Sequence, residues 1–320
     1  MIAAMMAVVS VVVPTERRVD RLCRRLPHVG SDSSFFILHL AWMSRDTRTM
    51  AFERAGRGPA AILIHGNPAT HTLWRPVIER ASDTRTIYAV DLPGFGRSPR
   101  PDDDRAYAIE ELARILLGFA DNYGIDRFDC VGHSFGGGVA LTIGAMAPER
   151  VRTLAAITPL TDRMPPLGRL TRMLPLTAMA SAAWRLAPHR LRRWAARNWT
   201  RVSYGKGYSP ERAAEVAGEA DRPDLFLPLT GLMRSIDREV YRRRLDALSR
   251  GSGPPILLVG AGRDRVIPHT QFLELAGRIP RARVVDIDDS GHVPMWQYPE
   301  MITGLLREFW EQGPASAPPM

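Results

Sequence analysis

Gly132-His133-Ser134-Phe135-Gly136 decides the fold because of what flanks it. The apolar run Phe128 to Gly132 leads in, and from Phe135 to Met146 the pattern turns helical, so Ser134 falls on a strand-to-helix turn. So sharp a turn needs small residues two positions either side of the serine; both are glycine, and Gly137 and Gly138 extend the slack. The hydroxyl is then presented at the head of a helix, where backbone N–H groups and the dipole favour a developing negative oxygen. A glycine-rich turn with an incidental serine is the plainer reading, and the flanking elements weigh against it.

From Thr49 onward, short apolar runs alternate with helical patterns, as in a parallel sheet wrapped by helices. The other runs are Thr49 to Arg54, Ala60 to His65, Thr86 to Val90, Thr153 to Thr158, Pro255 to Gly260 and Arg283 to Ile287. Helices are expected at Thr72 to Ala81, Ile109 to Tyr123, Thr270 to Arg278 and Glu300 to Trp310. In the second of these, Leu112, Ile115, Leu116 and Phe119 share one face. Between residues 161 and 253 the alternation gives way to helical periodicity alone, which reads as an inserted helical domain. The Pro/Ala-rich residues 313–320 read as a disordered tail.

A serine hydroxyl is a weak nucleophile at neutral pH and needs a base that titrates near it, which points to histidine. Of eight histidines, His292 lies just past the last apolar run, in a loop at the sheet's carboxyl edge on the side of Ser134. His133 adjoins the serine but points away from such a turn, and His65 suits a packing role. His28, His39, His71, His189 and His269 read as loop or surface residues. The imidazole needs a carboxylate to fix its tautomer. Asp264 follows the sixth run and Asp162, its rival, the fifth; Asp264 is favoured because Asp264-Arg265-Val266-Ile267-Pro268 turns directly into a helix. Asp286, Asp288 and Asp289 read as solvent-facing or structural. His65-Gly66-Asn67-Pro68 closes the second run, where the N–H of Asn67 can join that of Phe135 around an oxyanion. As a bare tetrapeptide it is an ordinary turn.

With 45% hydrophobic and 24% charged residues over 320 positions, the chain reads as globular, long enough for one core and an insertion. The net charge is +9, and every basic residue except Lys206 is arginine or outside that count as histidine. Ten basic residues and no acidic one lie from Arg163 to Lys206. No nucleic-acid-binding motif accompanies this charge, so nucleic acid is not an expected partner. Cys23 and Cys130 make no disulfide framework, and a reducing, cytoplasmic setting is expected. The run Ile2 to Val13 is too short to cross a bilayer, and no basic residue precedes it as in a signal peptide. Residues 1–42 read either as a loosely attached extension or as a product of start-codon choice.

Together, His65-Gly66-Asn67-Pro68, Asp91-Leu92-Pro93-Gly94-Phe95-Gly96-Arg97-Ser98, Gly132-His133-Ser134-Phe135-Gly136, Gly262-Arg263-Asp264 and Gly291-His292 resemble the α/β-hydrolase superfamily, in its serine-nucleophile, cap-bearing branch of esterases and carbon–carbon hydrolases. The chain order Ser, Asp, His matches too. The resemblance implies an α/β fold with a mostly parallel eight-stranded sheet and helices on both faces. Residues 43–160 and 254–312 would form the core, and 161–253 a helical cap inserted after the family's sixth strand, here Thr153 to Thr158. Seven runs are visible, which leaves one family strand to be found within residues 43–60.

The asparagine of His65-Gly66-Asn67-Pro68 is similar to that of haloalkane dehalogenases and epoxide hydrolases. Those carry aspartate where Ser134 stands, and a serine cannot form their alkyl-ester intermediate. The resemblance therefore implies ester hydrolysis through an acyl-enzyme, with Ser134, Asp264 and His292 catalytic, the N–H groups of Asn67 and Phe135 as oxyanion hole, and no cofactor or metal. Carbon–carbon hydrolysis of meta-cleavage-type diketone acids, cofactor-free perhydrolysis, and ligand binding on a hydrolase scaffold are the alternatives. Trp296 and Gln297 are similar to an aromatic position near the histidine of carbon–carbon hydrolases; packing of Trp296 against the sheet is the other reading. In the cap, Leu191, Trp194, Ala195, Trp199 and Val202 share one helical face, and Arg190, Arg192, Arg193, Arg197 and Arg201 take much of the rest. This suits weak contact with a membrane surface or lipid, or a lid helix turning its apolar face over the active site. Met164, Met173, Leu174, Met179, Trp184 and Leu186 are expected to line an apolar pocket for a small-molecule ester.

Overall fold

Among the residues that the computed structural model describes (50–101, 103–163, 179, 182–204, 214, 228, 231–232 and 235–313), seven strands form one sheet. They are β1 (Phe52–Ala55), β2 (Ala60–Ile64), β3 (Thr86–Val90), β4 (Phe128–His133), β5 (Val151–Ile157), β6 (Ile256–Ala261) and β7 (Arg283–Ile287). Their order is β1-β3-β2-β4-β5-β6-β7, with β1 antiparallel to β3 and every other pairing parallel. Residues 56–59 connect β1 directly to β2, so the eighth strand expected within 43–60 is not found in its described part. Positions 43–49 lie outside the described residues, as do the expected extension at 1–42 and the tail beyond Gly313.

The central strands are apolar without interruption because both of their faces are covered. Alternate residues feed opposite cores: Ile62, Ile64, Cys130, Leu154, Ala156 and Leu258 on one side, Ala61, Leu63, Val131, Ala155, Leu257 and Val259 on the other. The first core is closed by α2 (Ile109–Asn122), α3 (Phe135–Met146), α5 (Arg238–Arg250) and α6 (His269–Arg278). Leu112, Ile115, Leu116 and Phe119 of α2 are all buried there, as their spacing predicts. The second core is closed by α1 (Arg75–Ala81) and α8 (Pro299–Gln312), with the four-residue α7 (Pro294–Gln297) at its edge. A separate helix, α4 (His189–Tyr204), belongs to the basic stretch.

Three local differences from the expected elements have physical causes. The helix expected from Thr72 is a 3-10 turn (His71–Trp74) followed by α1, whose Pro76 needs no backbone donor in the first helical turn. Pro299 likewise starts α8 one residue before the expected Glu300. Third, α5 lies in the stretch expected as cap, yet Tyr241, Leu245 and Leu248 bury themselves in the same core as α3. Periodicity reports an apolar helical face without naming what it packs against.

The strand order sets the site. The order in which successive strands are added reverses between β2 and β4, and in open parallel sheets ligands bind at the carboxyl ends of strands flanking such a switch. The loop after β2 carries Asn67, and the end of β4 carries Ser134. The loops after β6 and β7, on the same edge, carry Asp264 and His292.

Candidate active site

Ser134 has φ 53° and ψ −119°, a left-handed conformation that costs a serine energy and is held by its surroundings. Its N–H donates to the Ile157 carbonyl (2.9 Å), and its carbonyl accepts from the Leu160 N–H (2.8 Å). A Cβ on Gly132 would stand 2.1 Å from the Gly136 carbonyl oxygen, so no side chain fits under the turn. A Cβ on Gly136 would meet the Ile64 and His65 carbonyl oxygens at 2.4 Å, so the end of β2 presses against the head of α3.

The expected residues meet. His292 Nε2 lies 2.9 Å from Ser134 Oγ, and His292 Nδ1 lies 2.7 Å from Asp264 Oδ2. An ionised carboxylate only accepts, so Nδ1–H donates to Asp264 and Nε2 is left to accept from the serine hydroxyl. The other Asp264 oxygen accepts from the N–H groups of Val266 (2.7 Å) and Ile267 (2.9 Å), which fixes the carboxylate. The side chains of His292 and Asp264 are 5% and 3% exposed, so this relay works out of bulk water. Asp162 is engaged elsewhere, accepting from Arg242 Nε (3.1 Å) and Arg278 (2.6 Å).

Beside this relay runs the loop after β2: a Cβ on Gly66 would lie 2.9 Å from Ser134 Cβ. Phe135 opens α3, so its N–H has no acceptor within the helix. His65 is buried edge-on against Phe95, as its packing reading expects, and also anchors the loop by hydrogen bonds. The Leu92 N–H donates to its Nε2 (2.9 Å), which leaves the proton on Nδ1 to donate to the Gly66 carbonyl (2.7 Å). His71, read from sequence as a loop or surface residue, donates its backbone N–H (2.7 Å) and Nδ1–H (2.9 Å) to buried Asp91, tying the loop to the start of the Asp91–Ser98 segment. His269, another of these, pairs with Asp286.

Three residues that sequence reasoning missed hold the backbone of His292. His133 does not simply point away: its Nε2–H donates to the His292 carbonyl (2.7 Å), which also accepts from Thr158 Oγ1 (3.0 Å). The His292 N–H donates to the carbonyl of Ser203 (3.0 Å), near the end of α4. A fourth missed residue, Tyr241 of α5, donates its hydroxyl to the Leu160 carbonyl (2.7 Å), bracing the segment that bonds Ser134. Gln297 accepts from the Gly291 N–H (2.7 Å) and Ser290 Oγ (2.9 Å), and Trp296 packs at the second core with its Nε1–H on the Leu73 carbonyl (2.8 Å). Trp296 thus follows its packing reading.

Burial, and after it the neighbouring His292, pushes His133 well below the ordinary histidine range; burial also lowers His65. A histidine neutral in the fold but titrating near 6.5 when unfolded takes up its proton on unfolding, so its contribution to stability falls as pH drops below 6.5. Each such group costs about 1.4 kcal/mol per pH unit in that window. Urea unfolding between pH 7.5 and 5.5 is therefore expected to show falling stability, with a shallower slope in His133→Gln. Equal slopes would mean that His133 is not held neutral.

Of the expected pocket residues, Met179 and Leu186 are exposed, Trp184 is half-buried, and Met164, Met173 and Leu174 lie outside the described residues. The apolar face of α4 is not turned over the site either. The side that docks is Ala196, Thr200 and Ser203, all buried. Among the described residues no helix is long and apolar enough to cross a membrane, and no group of three His, Cys, Asp or Glu is placed to hold a metal ion.

Comparison with known proteins identifies the fold family. The family model for the α/β hydrolase fold matches residues 59–299. The chain is 30% identical over 273 residues to a 2-hydroxymuconate semialdehyde hydrolase of Pseudomonas putida, covering 81% of this chain and 90% of that protein. It is 25% identical over 286 residues to a pimeloyl-[acyl-carrier protein] methyl ester esterase of Aeromonas hydrophila, covering 82% and 99%. A thermophilic esterase from Thermogutta terrifontis superposes with a TM-score of 0.69 at 24% identity, over 82% of this chain and 93% of that one. A serine elbow at the reversal of a parallel sheet, a histidine and an aspartate on its carboxyl edge, and a family match spanning all three together place the chain in the α/β hydrolase fold family, as a hydrolase.

Proposed function

We propose that the chain hydrolyses a carboxylic ester through an acyl-enzyme on Ser134. The observation that carries this is the continuous relay from Ser134 Oγ through His292 to Asp264, at 2.9 and 2.7 Å. Ser134 attacks the ester carbonyl while His292 Nε2 takes its proton, and Asp264 stabilises the imidazolium that results. The backbone N–H groups of Asn67 and Phe135 receive the oxyanion; a donor of this kind is typically worth on the order of 10²- to 10³-fold in rate. His292 then protonates the departing alkoxide, and a water deprotonated by the same imidazole releases the acid.

The likeness to the semialdehyde hydrolase favours a second reading, in which the same serine attacks a ketone and the bond that breaks is carbon–carbon. Fold does not separate the two. Turnover of p-nitrophenyl esters of rising chain length, set beside loss of 2-hydroxymuconate semialdehyde absorbance, does. The ester reading predicts kcat/KM for the best ester at least about tenfold above that for the semialdehyde, a difference of about 1.4 kcal/mol or more in transition-state stabilisation. The reverse preference would assign the carbon–carbon reaction.

A further inference from the structure

The helix α4 has two sides with different tasks. One side, Ala196, Thr200 and Ser203, is buried against the core, where the Ser203 carbonyl accepts from His292 and the helix touches α7. At 3.6 residues per turn, Leu191, Trp194 and Val202 fall on the opposite side, and Trp199 falls between the two sides. They are exposed by 51%, 63%, 43% and 38%, and Leu186 just before the helix is more exposed still. Arg190, Arg193, Arg197 and Arg201 line one flank of this stripe, and residues 182–204 contain no acidic side chain.

We propose that this face of α4 docks on an anionic lipid bilayer, with the helix lying in the plane of the interface. The charge selects an anionic partner, and the apolar stripe narrows the choice. Leu186, Leu191 and Val202 gain nothing from a phosphate backbone, whereas at the headgroup boundary aliphatic side chains and tryptophan are covered while flanking arginines reach the headgroups. A second copy packed antiparallel on this stripe fits poorly, because it would bring a row of arginines against an identical row. The face that docks on the core is the opposite one, so lipid contact requires no rearrangement of the His292 loop. The inference rests on this surface alone and not on the reaction assigned to Ser134.

The test is flotation of the full chain with vesicles of phosphatidylcholine alone or mixed with phosphatidylglycerol, at low and high salt. Binding is expected only to the mixed vesicles and is expected to weaken with salt as headgroup attraction is screened. Arg193→Gln with Arg197→Gln is expected to lower partitioning on the order of tenfold, and Trp194→Ser to lower it at both salt concentrations. These side chains are exposed, so the variants keep the wild-type melting temperature, and Ser134→Ala floats like wild type whatever its activity. No binding to mixed vesicles, or equal binding to neutral ones, overturns the proposal. So does arginine-dependent binding of duplex DNA without vesicle binding, or a dimer in solution that Trp194→Ser dissociates.

Discussion

Ser134→Ala is expected to lower kcat by roughly 10⁵- to 10⁶-fold while the protein stays folded and substrate affinity changes little. The hydroxyl makes one hydrogen bond, to His292 Nε2, and everything else that fixes residue 134 is backbone: its N–H on Ile157 and its carbonyl under Leu160. Alanine suffers the same left-handed φ as serine, so the turn survives and the nucleophile is lost. A residual rate above that in water remains expected, because the substitution leaves untouched the proposed oxyanion donors, the N–H groups of Asn67 and Phe135. Single-turnover kinetics beside a thermal melt check this. A variant retaining a tenth of wild-type activity would remove Ser134 from the chemistry.

Asp264→Asn is expected to cost on the order of 10⁴-fold in kcat with little change in KM. The new amide oxygen can still accept from Val266 and Ile267, so its NH2 is turned toward His292. Nδ1 must then accept, the ring proton moves to Nε2, and the imidazole presents a donor where Ser134 needs an acceptor. The geometry is kept and the tautomer is wrong. Asp162→Asn makes the contrast: it loosens the ion pairs to Arg242 and Arg278 and is expected to alter stability far more than turnover. The opposite pattern would move the orienting role to Asp162.

Much of this architecture is legible because it follows from periodicity and steric necessity. Unbroken apolar runs mark strands covered on both faces, and Gly132 and Gly136 are required by contacts of 2.1 and 2.4 Å that any Cβ would make. The placement of Asp264 and His292 follows from parallel strands sharing one carboxyl edge. What holds His292 is not legible, since His133, Thr158 and Ser203 reach it from β4, from the end of β5 and from α4. No local pattern links them, and a lone serine carbonyl leaves no mark in a sequence. The orientation of α4 is hidden for a related reason: a helix with an apolar stripe is ordinarily docked by that stripe. Here the small residues Ala196, Thr200 and Ser203 dock instead, allowing close approach to the His292 loop.

The central claim is that Ser134 is the nucleophile, and the most direct measurement is reaction with a fluorophosphonate followed by peptide mass spectrometry. The relay at 2.9 and 2.7 Å predicts one phosphonylated residue, Ser134, with labelling abolished in Ser134→Ala and slowed in Asp264→Asn. Labelling at another serine, or labelling that persists in Ser134→Ala, would contradict it.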